Sequence, residues 1–125
     1  VFALNIAPLL EIGKVIGRPG TMMAAADTWE IVARGKGGHA SMPHDCLDPI
    51  PVACEVVQAL QTFTTRRINP FDPIILTCTK IEAGTTTNVI PETATLTGTL
   101  RSTSERARST AHEGIRRVAR KIAEA

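Results

Sequence analysis

A chain of 125 residues, 43% hydrophobic and 21% charged, has the balance of one ordinary globular domain with a real core and is too short for two comfortable ones. A net charge of +2 with only 3% aromatic residues argues against a nucleic-acid surface, and the basic run from Arg106 to Lys121, interleaved with alanines, reads as the solvated face of a helix. No apolar stretch approaches the roughly 20 residues of a membrane helix, and three cysteines without a C-x-x-C pair argue against a disulfide framework and fit a reducing, cytoplasmic setting.

The opening VFALNIAPLL lacks a basic leader and a small-residue cleavage site, so it does not read as a signal peptide. Val1 to Ile6 reads as a buried strand, followed by a Pro- and Gly-rich stretch holding Pro8, Gly13, Gly17, Pro19 and Gly20. Residues 1–20 are therefore expected to be a strand and linker from a neighbouring domain, with a second unit over 21–125, and the chain reads as a fragment.

From Met22 to Arg34 the sequence alternates, with Trp29, Ile31 and Ala33 on one face and Glu30, Val32 and Arg34 on the other. Period two predicts a half-buried strand. Gly35, Gly37 and Gly38 end it, and a polar loop carrying His39, Pro43 and His44 runs to Asp48. Asp48-Pro49 predicts a helix start, with Asp48 as N-cap and Pro49 at the first helical position. Ala53, Val56, Val57, Leu60 and Phe63 follow at amphipathic spacing, with Arg66 and Arg67 near the C-terminal end of the dipole.

Ile74 to Ala83 is rich in β-branched residues and predicts a second strand. Gly84 to Pro91 reads as a connection. Glu92 to Arg101 predicts a third strand, with Ala94, Leu96, Gly98 and Leu100 facing inward and a row of threonines facing out. Ser102 and Glu105 make an S-x-x-E capping box for a second helix, whose inward face is Ala107, Ala111, Ile115, Val118, Ala119 and Ile122. The order strand, helix, strand, strand, helix is a split β-α-β unit short of its last strand. The expected fold is α+β: a ferredoxin-like two-layer sandwich, an antiparallel sheet with both helices on one face.

Three polar residues stand out. His39 follows two glycines in GKGGHASMPH, which lets the backbone turn sharply and expose the imidazole. It could donate to an oxyanion or shuttle a proton, or it could simply cap a tight turn. Asn88 in GTTTNVIP has an amide that suits a substrate amide or carboxylate, and equally an Asx-turn. Arg101, at the end of the threonine strand, could pair with a carboxylate or be an ordinary surface arginine. The histidines and cysteines form no compact metal-ligand set, and neither a nucleophile elbow nor a P-loop is present.

The stretch RPGTMMAAADTWEIVARGKGGHASMPHDCLDPI resembles the start of the lid domain in the amidohydrolase branch of the zinc-metallopeptidase family, which includes aminoacylases, hippurate hydrolases and indole-acetyl-amino-acid hydrolases. IEAGTTTNVIPETATLTGTLRS resembles the later block of the same lid, in the same order. The resemblance implies a lid and dimerisation domain, truncated at its C-terminus, inserted in a catalytic domain that holds two divalent metal ions (zinc, or manganese, nickel or cobalt). It implies a homodimer and a small N-acyl-amino-acid or peptide-like amide substrate, and the composition already speaks against nucleic-acid or membrane partners. It assigns His39 to the oxyanion of the partner's active site, Asn88 to substrate, Arg101 to a substrate carboxylate, and His44 as a further candidate in the His39 loop. The family's first strand usually carries a metal-binding histidine in a G-L-H-like context, where this chain has Ala3-Leu4-Asn5. Asparagine is a poor zinc ligand, so a relative with weakened or lost hydrolase activity is a second expectation. A free-standing ferredoxin-like interaction or ligand-sensing module is a third.

Overall fold

The computed structural model describes residues 4–125. Five strands and two long helices follow in chain order: β1 (Ala25–Arg34), β2 (Gly38–His39), α1 (Pro49–Arg67), β3 (Ile74–Ala83), β4 (Val89–Ile90), β5 (Thr93–Ser102) and α2 (Glu105–Ala123), with a 3-10 turn at Pro43–Asp45. The sheet order is β1-β5-β3, with β5 antiparallel to both neighbours. Strands β1 and β3 are thus parallel to each other, joined through α1, and split by β5. This is the expected split β-α-β arrangement in an α+β sandwich.

Alternation along β5 decides where the core sits. Ala94, Leu96, Gly98, Leu100 and Ser102 are buried, while the threonines between them are half-buried or exposed. Both helices cover the buried side: Ala53, Val56 and Leu60 of α1 join Ala107, Ala111 and Ile115 of α2 in one cluster with Leu76, Leu96 and Leu100. Leu60, Leu96, Leu100 and Val56 are its largest fully enclosed side chains. Two glycines permit close approach: a Cβ on Gly98 would collide with the Trp29 ring and the Thr77 carbonyl, and one on Gly114 would collide with the ring of Phe63.

The start of α2 is pinned twice. Arg108 grips both carboxylate oxygens of Asp27 on β1 (2.9 and 2.6 Å), and His112 Nε2 lies 3.6 Å from the same group. Asp72, in the turn after α1, accepts from Ser104 Oγ (2.7 Å) and from the Arg106 guanidinium (2.9 and 3.1 Å). These donors hold both carboxyls below the ordinary aspartate value, Arg108 chiefly for Asp27 and Ser104 then Arg106 for Asp72. The Asp27 bond in turn raises the Arg108 pKa.

Four sequence expectations need correction. The N-cap of α2 is Ser104, whose side chain accepts from Ala107 N at 3.0 Å, and Ser102 is instead buried at the end of β5. The sheet holds Ser102 by pairing it with Ala25 and Ile74, so it cannot take the half-free conformation of a cap. Leu4 to Ile6 are not in a strand and are exposed, with no paired edge for them among the described residues; Val1 to Ala3 lie outside the described residues. Strand β1 begins at Ala25, not Met22, because pairing with β5 starts at Ala25–Ser102. The connections at 35–48 and 84–91 each hold a short strand not visible in the sequence.

Candidate functional site

The two short strands build the site. Gly38 pairs with Ile90 and His39 with Val89, and Ala40 N donates to the carbonyl of Asn88 at 3.0 Å. Two loops far apart in sequence, each read as isolated, are therefore one structure in which the backbones of His39 and Asn88 come within one residue of pairing.

The glycines make this packing possible. A Cβ on Gly37 would sit 2.7 Å from the carbonyl oxygen of Ile90, and one on Gly38 would sit 2.6 Å from Cys46 Sγ. Gly35 N donates to the carbonyl of Glu92 at 2.8 Å, and Lys36 and Leu47 exchange two backbone hydrogen bonds of 2.9 Å, closing the base of the loop. On the opposing loop, Gly84 holds φ +72°, a conformation that favours glycine and turns the chain out of β3.

Both side chains at the tip face solvent. The imidazole of His39 is fixed by Ser41: Nδ1 lies 3.2 Å from Ser41 N and 2.7 Å from Ser41 Oγ. A backbone N–H only donates, so Nδ1 is an acceptor and the ring proton resides on Nε2. Asn88 Oδ1 accepts from Thr86 Oγ1 at 3.0 Å, and among the described residues its amide nitrogen donates to no protein group. The adjoining loops thus each expose a donor, an imidazole N–H on one and an amide NH2 on the other, groups of a kind suited to a carbonyl oxygen, a carboxylate or an oxyanion.

His44 shares the loop but is turned to Asp45, 3.8 Å away, in the exposed 3-10 turn. Arg101 is not part of this cluster. It pairs with Ala26 and Ile75 at the far end of the sheet, about 26 Å along β5 from Thr93. Among the described residues no group of three His, Cys, Asp or Glu side chains is placed to hold a metal ion, and no helix is long and apolar enough to cross a membrane. Reading the sequence missed Ser41 and Thr86. Each lies two residues from its partner, a spacing too common to single out without the loop geometry.

The α+β sandwich exposes His39 and Asn88 on adjoining loops, and among the described residues it holds no metal-ligand set. The sequence profile of the peptidase dimerisation domain family of M20 enzymes matches residues 24–125, and the chain belongs to that family. It is 38% identical over 122 residues to thermostable carboxypeptidase 2 of Saccharolobus solfataricus, covering 98% of this chain and 31% of that protein. It is equally 38% identical over 123 residues to N-acetylcysteine deacetylase of Bacillus subtilis, covering 98% and 32%. Among solved structures, a dinuclear metal-binding M20 peptidase from Bacillus subtilis superposes with TM-score 0.69 at 33% identity, over 94% of this chain and 27% of that one. The chain spans about a third of the length of the curated relatives it matches.

Proposed function

We propose that this chain is the lid and dimerisation part of a metal-dependent amidohydrolase that cleaves N-acyl-amino-acid or peptide-like amides in the cytoplasm. Residues 21–125 form the lid, and residues 1–20 belong with the catalytic domain. A second copy pairs with the lid, and His39 reaches the partner's active site. The observation that carries this reading is the exposed His39 imidazole, braced by Ser41 on a loop tied to that of Asn88, whose amide nitrogen donates to no protein group among the described residues. Relatives named as deacetylases and carboxypeptidases share the substrate chemistry such a tip fits.

In this reading His39 Nε2–H meets the oxyanion that forms as the amide carbonyl is attacked, and Asn88 holds the substrate beside it. A preorganised donor aimed at developing charge is worth roughly 10²- to 10³-fold in rate. Arg101 serves a substrate carboxylate. Its distance from the tip means that one protomer's Arg101 and His39 cannot meet on one small substrate. Two-fold pairing of antiparallel edges reverses the strand direction and would bring one copy's Arg101 end toward the other's tip. The two divalent metal ions fall to the rest of the enzyme, since no described group here is suited to bind one.

Asn5, where the family usually has a ligand histidine, favours a second reading: a lid on a scaffold with weakened or lost hydrolysis. The two readings part on the full-length enzyme, assayed on a panel of N-acyl amino acids with added divalent metals beside His39→Ala. Activity that falls by about a hundredfold or more in the variant supports the lid reading. An inert parent under every condition supports the second.

A further inference from the structure

His39 is exposed, and an exposed imidazole on a loop ordinarily samples several rotamers and both neutral tautomers. Here both freedoms are removed by one residue. Ser41 N, 3.2 Å from Nδ1, can only donate, and Ser41 Oγ reaches the same nitrogen at 2.7 Å. The backbone around them is held as well: Met42 N donates to the His39 carbonyl at 2.9 Å, and Ala40 N is tied to Asn88. Ser41 therefore cannot swing away without opening the tip.

We propose that Ser41 is a positioning residue for the reaction, one that keeps His39 as an Nε2–H donor aimed out of the loop. The inference rests on the functional reading of His39 given above and deepens it. It makes the imidazole a hydrogen-bond donor throughout, not a proton shuttle: the nitrogen that would have to take up a proton is already occupied by donors. Ser41 touches no substrate and acts only through the ring.

The test is a double-mutant cycle in the full-length enzyme, with Ser41→Ala, Ser41→Thr and His39→Ala. Ser41→Ala keeps the backbone donor and loses the hydroxyl, so kcat should fall by about three- to tenfold with KM within about twofold. Ser41→Thr, which restores a hydroxyl, should recover most of that loss. In a His39→Ala background Ser41→Ala should cost less than about twofold, because its route to the reaction is gone. Histidine-selective 15N labelling reads the tautomer directly, with Nδ1 expected as the unprotonated nitrogen. A protonated Nδ1, an unchanged kcat in Ser41→Ala, or an equal loss in both backgrounds overturns the inference. A harmful His39→Ala with a harmless Ser41→Ala overturns it alone; a harmless His39→Ala overturns the functional reading and this inference together.

Discussion

His39 pairs with Val89 in a two-residue ladder, and one residue beyond it Ala40 N donates to the Asn88 carbonyl at 3.0 Å. The ladder depends on glycines that a side chain cannot replace without moving backbone. Gly37→Ala would press a methyl group against the Ile90 carbonyl, from which its Cβ would be 2.7 Å away. This substitution should therefore lower the full-length enzyme's kcat/KM by about tenfold or more while costing the domain about 1–3 kcal/mol. Steady-state kinetics beside a urea melt check it; full activity in Gly37→Ala would mean that the ladder does not set the tip.

The tip of the Phe63 ring rests on Gly114, so α1 and α2 approach where only a hydrogen fits. Gly114→Ala gains helix propensity of about 1 kcal/mol yet overpacks this crossing. Steric cost should win, with a net loss of about 1–2 kcal/mol in chemical denaturation. A more stable variant would show that the ring moves aside freely.

Asp27 and Asp72 have folded-state pKa values depressed below 3.8 by their Arg108, Ser104 and Arg106 partners. For a depressed carboxylate, the unfolded chain binds protons first as pH falls. The stabilisation is thus full above the unfolded value and is lost as pH drops through the folded value. Urea midpoints should hold from neutrality to about pH 5 and fall steeply below about pH 4. Asp27→Asn and Asp72→Asn should each be less stable at neutral pH and show a shallower acid limb. An acid limb of unchanged slope in both variants would assign it to other groups.

Ser104, not Ser102, caps α2. Ser104→Ala should cost about 1–2 kcal/mol, through loss of the cap to Ala107 N and of the bond to Asp72. Ser102→Ala removes a hydroxyl that is buried without a hydrogen-bond partner among the described residues and should be neutral or mildly stabilising. Reversed effects in thermal melts would restore the S-x-x-E box.

Much of the fold was legible because its signals are local. Alternation in Thr93 to Leu100, the Asp48-Pro49 start and the apolar stripe from Ala53 to Phe63 each state their own structure. What was hidden depends on pairing across the chain. The register of β3 shifts between Cys78 and Lys80, so Ile81 pairs with Leu96 on the helix face although alternation from Leu76 would place it on the other. Ser102 looked like a cap because its sheet partners lie far away in sequence. His39 and Asn88 drew attention as residue types in glycine- and threonine-rich loops. The meeting of their loops, the Ser41 brace and the separation of Arg101 came only from the ladder and the strand register.

The central claim is that His39 serves the partner's active site, and subunit mixing tests it most directly. Full-length His39→Ala is mixed, dissociated and reassembled with a second inactive variant whose defect lies in the catalytic domain and whose His39 is intact. In random reassembly half of the dimers are mixed, and each carries one site with an intact catalytic domain and a partner's histidine. The account predicts recovery of about a quarter of the wild-type rate. A mixture that stays as inactive as its two parents, although heterodimers have formed, would contradict it.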